Sequence, residues 1–192
     1  MKSIEEIIKG RRSIRKYKTE TVKDETIQKL LELATYAPSG GLAFGKEHPW
    51  SFVVIKNREM LDRLSEVAKV YTLKLIERMP VLARFRPMFE NPDFNIFYHA
   101  PVLVIILGTK GDPAAVYDCT LAAENLMLAA YAEGLGTCWI EWTKQAAQDR
   151  DLMMELGISD EYEIIACIAL GYPDVSPAVR ERKPPHVLKW IR

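Results

Sequence analysis

An uninterrupted apolar run at residues 102–108 constrains the fold of this 192-residue chain more than any other feature. The run reads Val-Leu-Val-Ile-Ile-Leu-Gly and contains no charged or polar side chain to face water. Runs of this kind form central strands that are buried on both faces of a sheet. The other runs with strand or helix periodicity lie at 4–10, 24–36, 50–56, 57–68, 114–133, 137–142, 144–156 and 164–170. The pattern predicts one mixed α/β (α+β) domain over residues 1–192.

The segment 114–133 is the longest predicted helix. It is rich in alanine and is apolar nearly all round, with Asp118, Glu124 and Asn125 as the main polar breaks. A helix of this composition is buried on most sides. In a chain of this length, part of that burial can come from a second subunit.

The segment 78–98 combines prolines with aromatic residues and does not predict one continuous helix. Prolines stand at 80, 87 and 92, and aromatic side chains at 85, 89, 94, 97 and 98. Two interpretations remain open for this segment. It is either a surface excursion that packs back on the core or a lid over a binding cleft.

The charges are unevenly distributed although their sum is zero. Residues 1–18 carry seven cationic and two anionic side chains, and residues 178–192 carry five and one, so the middle of the chain is net acidic. A neutral chain with an acidic body is not typical of a general polyanion-binding protein. Two basic ends instead predict a local anion site assembled from both termini.

Cysteine and histidine usage predicts no metal site. The three cysteines, at 119, 138 and 167, form no CxxC pair, and the three histidines, at 48, 99 and 186, are too scattered for an HExxH site. The GxSxG elbow, the Walker phosphate loop and the GxGxxG fingerprint are also absent from the sequence. We therefore assign no metal ligand.

The sequence predicts a cytoplasmic protein. Acidic and basic residues interrupt the apolar residues of the first ten positions, which does not fit a signal peptide. The apolar stretches are also shorter than the ~20 residues that a membrane-spanning helix needs.

The anion site is predicted most directly by the segment 11–17, Arg-Arg-Ser-Ile-Arg-Lys-Tyr. Alternate side chains share a face in an extended chain, so Arg11, Ser13 and Arg15 point together. Two guanidinium groups and a hydroxyl suit a phosphate or another dianionic group. Arg180 and Arg182 present a similar pair near the other end.

Four segments in this order resemble the FMN-dependent nitroreductase-like flavoproteins. They are Arg-Arg-Ser-Ile-Arg-Lys-Tyr at 11–17, Ala-Pro-Ser-Gly-Gly at 37–41 with Pro-Trp at 49–50, Gly-Leu-Gly-Thr-Cys-Trp-Ile at 134–140, and Gly-Tyr-Pro at 171–173 with Arg-x-Arg-Lys-Pro at 180–184. The resemblance spans nearly the whole chain. It implies a three-layer sandwich with a central, mostly antiparallel sheet flanked by helices, in an intertwined homodimer whose C-terminal arm, 173–192, packs on the partner subunit.

The resemblance also implies a function. Such proteins bind FMN at the subunit interface and take a hydride from NAD(P)H onto flavin N5. They then reduce a nitroaromatic, a quinone or an activated alkene by a ping-pong route. Two other functions stay open at this point: a different chemistry on the same fold and flavin, such as reductive dehalogenation or flavin fragmentation, and a non-catalytic flavin-binding module.

Residue by residue, the resemblance assigns a flavin site and an acceptor pocket. Arg12 is expected near the phosphate and Arg15 near the flavin pyrimidine edge, where a cation stabilises the reduced flavin. The flavin site comprises Arg11, Arg12, Ser13, Arg15, Pro38, Ser39, Gly40, Trp139, Ile140, Glu141, Arg180 and Arg182. The expected acceptor pocket comprises Phe89, Phe94, Phe97 and Trp142.

The chain departs from the family pattern in one loop. Leu42 and His48 stand where the family commonly has Asn and Gln, and extra residues, Phe44 among them, lie between them. The missing amide removes a polar contact to the flavin or to the partner loop. The longer loop reshapes the acceptor pocket.

Overall fold

The structure, a computed structural model, describes residues 2–40, 48–178 and 181–192, and in these a sheet lies between two layers of helices. The strands are β1 (Trp50–Ile55), β2 (Val102–Thr109), β3 (Gly136–Trp139) and β4 (Tyr162–Gly171). The α-helices are α1 (Ile4–Gly10), α2 (Asp24–Ala34), α3 (Arg58–Arg78), α4 (Arg86–Glu90), α5 (Ala115–Ala132) and α6 (Arg150–Glu155). Two 3₁₀ helices lie at Pro80–Phe85 and Glu141–Gln148.

The sheet has the order β1-β2-β4-β3, and all its strand pairs are antiparallel. The strand β2 covers the apolar run at 102–108 and pairs with β1 on one side and β4 on the other. Its residues from Val102 to Leu107 are at most 2% exposed. The prediction of a central strand with both faces buried is confirmed.

Alternate residues of β2 enter two separate hydrophobic clusters. Leu103, Ile105 and Leu107 pack on one face of the sheet with residues of α3, α4 and α6. Val102, Val104 and Ile106 pack on the opposite face with residues of α2 and α5. The predicted three-layer arrangement of helices, antiparallel sheet and helices is therefore confirmed.

The N-terminal helix ends where the predicted anion-binding segment begins. Ser3 and Glu6 form the capping box of α1, with Ser3 N–H donating to Glu6 Oε2 at 2.7 Å and Glu6 N–H donating to Ser3 Oγ at 3.2 Å. The helix stops at Gly10, where a Cβ would lie 2.3 Å from the hydroxyl oxygen of Tyr131 on α5. This close approach packs the end of α1 against α5.

Residues 11–17 then run in extended form beside β3 and the end of β4. Ile14 N–H donates to Thr137 O at 2.9 Å, and isolated bridges pair Ser13 with Thr137 and Tyr17 with Pro173. Gly136 permits this approach, because a Cβ there would lie 2.5 Å from Cγ1 of the buried Ile14. The segment is thus fixed to the sheet.

The prediction of one continuous helix at 144–156 is wrong, because this region contains the end of a 3₁₀ helix and the separate α6. Asp149 lies between them in an extended conformation and caps α6, its Oδ1 accepting from Leu152 N–H at 3.0 Å. The segment 78–98 is not one helix, as predicted: a 3₁₀ helix and α4 follow the end of α3.

Candidate functional site

The two neighbours of Ile14 in the extended segment both face solvent. Ile14 is 6% exposed and packs on the sheet, whereas Ser13 and Arg15 are exposed. Arg11 is partly buried, and its Nε lies 3.9 Å from Oε1 of Glu124. The predicted alternation of side chains is therefore present at 13, 14 and 15.

The thiol of Cys138 on β3 lies within reach of the charges and the hydroxyl of this segment. Burial raises the pKa of the thiol, while the positive charge of Arg15, the hydrogen bond from Ser13 and the positive charge of Arg11 lower it. Cys138 is 2% exposed, so its side chain lies beneath the surface that these residues form. The charges of Arg11 and Arg15 and the hydroxyl of Ser13 thus all act on this one thiol of β3.

Arg12 takes a different direction. Its Nη1 donates to the carbonyl oxygens of Lys9 and Arg11, each at 2.7 Å, so that the guanidinium caps the C-terminal end of α1. Its Nε is buried and has no hydrogen-bond partner among the described residues. A buried N–H without a partner costs free energy, and an anion supplies the missing acceptor.

A cavity of about 320 Å³ borders this guanidinium. It lies between the end of α1, the turn after α5 and residues 173–177. Lys2, Arg11 and Arg12 line it, and no acidic residue is among the described residues of its wall. The cationic wall and the unpaired Nε fit the phosphate group of the FMN that the resemblance implies.

The strand β3 leads into the segment predicted beside the flavin ring. Ile140 is buried, and its N–H donates to Cys167 O at 2.8 Å. Glu141 opens the next 3₁₀ helix, where a first N–H has no partner within the helix. Trp139 Nε1 donates to Glu141 Oε2 at 3.0 Å, and Lys144 Nζ lies 2.8 Å from Glu141 Oε1. The Ile140 amide is thus engaged inside the chain, whereas Glu141 stands at the first position of the 3₁₀ helix.

Residues Pro38, Ser39 and Gly40 are exposed, and Gly40 is bonded to α5. Gly40 N–H donates to Oδ1 of the buried Asp118 at 3.0 Å. Arg182 is exposed in the C-terminal segment. Arg180 and the altered loop positions Leu42 and Phe44 lie outside the described residues, whereas His48 is described and exposed.

The four predicted pocket aromatics divide into two pairs. Phe89 and Phe97 are each 1% exposed and belong to the core, so they present no face to solvent in this chain. Phe94 and Trp142 are half-buried, and each packs edge-to-face on Phe89, with centroid distances of 5.9 Å and 5.0 Å. The pocket role of all four stays a prediction, and Phe94 and Trp142 are the better placed to contact a flat molecule.

Tyr98 is a neighbour of the site that sequence reasoning missed. Its ring lies under the guanidinium of Arg15, with Cζ of Arg15 5.9 Å from the ring centroid. Tyr17 lies close by, and burial raises the pKa of its hydroxyl, which donates to Ile14 O at 2.8 Å. The aromatic content of 78–98 was a signal for Tyr98, but no local pattern links that position to Arg15.

Within the described residues, no helix is long and apolar enough to cross a membrane. The same part of the chain holds no group of three or more His, Cys, Asp or Glu side chains that could bind a metal ion.

Comparisons with known proteins point to the same family over most of the chain. The model of the nitroreductase family matches residues 8–172. A protein from Methanothermobacter thermautotrophicus, whose name pairs NADH dehydrogenase with NAD(P)H nitroreductase, is 31% identical over 96% of this chain and 86% of its own.

Two further relatives differ in what their names describe. A crystal structure of a nitroreductase with bound FMN from Bacteroides fragilis superimposes with a TM-score of 0.83 at 28% identity, over 100% of this chain and 99% of that one. The iodotyrosine deiodinase of Thermotoga neapolitana is 24% identical over 91% of this chain and 90% of its own.

Proposed function

This chain belongs to the nitroreductase family, and we propose that it is an FMN-dependent NAD(P)H oxidoreductase that reduces electron-poor organic acceptors by two electrons. The observation that carries the proposal is the cationic wall of the cavity, formed by Lys2, Arg11 and Arg12, together with the buried, unpaired Nε of Arg12. The similarity to an FMN-bound nitroreductase along the full chain supports it.

The cationic residues are assigned to the polar parts of the cofactor. Arg11 and Arg12 line the cavity, and they would bind the phosphate together with Ser13, the Nε of Arg12 supplying an unpaired donor. By the resemblance, Arg182 of the C-terminal segment would close on it together with Arg180. Arg15 would lie at the pyrimidine edge of the flavin ring. A fixed cation there favours the negatively charged reduced form over the oxidised one.

The residues around the end of β3 are assigned to the ring. Trp139 and Ile140 would form the wall beside it, and the Glu141 N–H would face N5, because the Ile140 N–H is already bonded to Cys167. Bound FMN supplies the two-electron chemistry by accepting a hydride from NAD(P)H and passing it to the acceptor. The side chains would position the FMN and stabilise its reduced form, and none is assigned as a general acid or base.

We further propose that the site is completed in a homodimer. The outer face of α5 exposes Val116, Tyr117 and Leu121, at 51%, 71% and 43%. In the C-terminal arm 173–192, Leu188, Trp190 and Ile191 are 76–89% exposed. Apolar surface of this extent is typical of an interface. In such a dimer, the loop at 38–40 would reach the flavin of the other subunit.

Reductive dehalogenation is the second candidate function, and the similarity to an iodotyrosine deiodinase favours it. Both candidates use the same flavin site and differ in the acceptor. Phe94 and Trp142 could stack on a flat nitroaromatic or on a halogenated phenol. The two functions therefore separate by substrate and not by cofactor.

The experiment is to record the absorption spectrum of the purified protein before and after anaerobic addition of NADH or NADPH. We expect flavin absorbance that is released on denaturation and bleached by the nicotinamide. Oxidation by a nitroaromatic or quinone supports the leading proposal, and oxidation by an iodinated phenol alone supports the second. A protein that remains colourless after reconstitution with FMN contradicts both, and bound flavin that no nicotinamide bleaches indicates a non-catalytic flavin-binding module.

A further inference from the structure

Tyr98 and His99 adopt a backbone conformation that bulky residues rarely accept. Their φ angles are 55° and 57°, in the left-handed region. Each such residue is strained and persists where surrounding contacts hold it, which happens most often at functional sites. The pair follows the loop at 91–97 and precedes β2, and the Tyr98 ring lies against Arg15.

The N-terminal half of α3 holds this strained turn in place. Arg58 Nη2 is 2.6 Å from Nδ1 of His99, and Arg58 Nε donates to Asp62 Oδ2 at 2.8 Å. Asp62 Oδ1 accepts from Asn95 Nδ2 at 2.9 Å, and the Asn95 carbonyl accepts from Tyr98 N–H at 2.9 Å. The turn is thus attached to the helix directly at His99 and, through Asn95, indirectly at Tyr98.

Two further bonds fix the loop that precedes the turn. Ile96 N–H donates to Oγ of the buried Ser65 at 3.0 Å, and Phe97 N–H donates to Asn95 Oδ1 at 2.9 Å. The ring of Tyr98 also packs edge-to-face on Phe94 at a centroid distance of 6.0 Å. The Tyr98 ring therefore has little freedom, although the guanidinium that it meets lies on an exposed side chain.

We propose that Tyr98 is a positioning residue that holds the Arg15 guanidinium in place through a cation–π contact, with the α3 network fixing Tyr98. The inference rests on the proposed function in one respect, the assignment of Arg15 to the pyrimidine edge of FMN. A long arginine side chain loses conformational freedom when it must meet a ligand. A rigid aromatic face reduces that loss and directs the charge.

The test compares Tyr98→Leu with Tyr98→Phe, which keeps the ring. The matched control is Tyr71→Leu, which removes the ring beneath Lys74 Nζ, 4.5 Å from its centroid, elsewhere on α3. For each full-length variant, three quantities are measured: the rate of phenylglyoxal modification of Arg15 without flavin, the Kd of oxidised FMN, and the midpoint potential of bound FMN.

We expect Tyr98→Leu to raise the modification rate of Arg15 severalfold. We also expect it to weaken binding of reduced FMN about three- to fivefold more than that of oxidised FMN, which lowers the midpoint potential by about 14–21 mV for two electrons. Tyr98→Phe and Tyr71→Leu should match the wild type in the modification rate of Arg15 and in the midpoint potential.

The inference would be overturned if Tyr98→Leu kept the wild-type modification rate and midpoint potential. It would also be overturned if Tyr98→Phe changed these two quantities as much as Tyr98→Leu does. If Tyr98→Leu does not fold, Arg58→Ala serves instead, because Arg58 is half-exposed and its loss releases His99. That variant should increase Arg15 modification in the same direction, and an unchanged rate contradicts the network. Failure to bind FMN at all would overturn the proposed function, while the modification rate would still test the inference.

Discussion

Substitution of Gly136 by alanine tests whether the flavin site depends on the fit between β3 and the segment 11–17. An added Cβ would lie 2.5 Å from Cγ1, 2.9 Å from Cβ and 3.1 Å from Cγ2 of Ile14. Ordinary carbon contacts are about 3.5–4.0 Å, so the two chains must separate by roughly 1 Å. The two branches that approach Gly136 belong to a buried side chain that cannot rotate away freely.

The expected cost follows from this overlap. Overpacking of a well-packed interior costs about 1–3 kcal/mol, and we expect the free energy of unfolding to fall by about 2 kcal/mol. The separation also strains the bond from Ile14 N–H to Thr137 O, now 2.9 Å long, and shifts Ser13 and Arg15 away from β3. We expect the Kd for FMN to rise about tenfold, which corresponds to about 1.4 kcal/mol.

The assay combines urea unfolding at a fixed protein concentration with an FMN titration. The control is Gly157→Ala, whose φ of 73° makes the alanine strained but whose Cβ would meet no atom within 4 Å. It should cost about 1–2 kcal/mol of stability and leave the Kd unchanged. Wild-type stability in Gly136→Ala would refute the packing argument. An equal effect of both variants on the Kd would refute the link between this contact and the site.

Three further predictions concern a buried thiol, the C-terminal arm and a helix cap. Burial raises the pKa of Cys167 to about 12 from 9.0, so the stability it contributes is complete below pH 9 and falls as the pH rises toward 12. The loss is about 1 kcal/mol by pH 10, and Cys167→Ala should lack this loss in urea unfolding at pH 8–10. Arg182→Ala should weaken FMN binding by about 1.5–3 kcal/mol in a titration in which Lys189→Ala binds like the wild type, and equal affinities would place the arm outside the site. Asn57→Ala removes the acceptor for Met60 N–H at 2.9 Å and should lower the free energy of unfolding by about 1 kcal/mol, and an unchanged value would show that the cap does not stabilise α3.

The elements that were predictable from the sequence are those set by local rules. The apolar run of β2 and the capping box of α1 depend on residues close together in the chain, and both were located correctly. The alternation around Ile14 was predictable for the same reason, because an extended chain has a fixed period of two. Local chemistry therefore accounts for the central strand, the first helix and one side of the candidate site, whereas the layered arrangement was implied by the resemblance.

Long-range contacts set the features that were missed. The cap that Arg12 forms on α1 is the exception, because its bonds to the carbonyls of Lys9 and Arg11 are local but follow no sequence motif. Prolines remove the periodicity of 78–98, so the burial of Phe89 and Phe97 could not be read from spacing. The approach of Tyr98 to Arg15 depends on a turn held by α3, more than thirty positions earlier in the chain.

The order β1-β2-β4-β3 also governs how the chain reaches its native state. Each pair of neighbouring strands is separated in the sequence by at least one helix, so the sheet contains no hairpin. Every strand pairing therefore requires closure of a long loop before any bond of the ladder forms. We expect helices to form early and the sheet to form late, with slow refolding during which the apolar β2 and β4 are exposed to association with other chains.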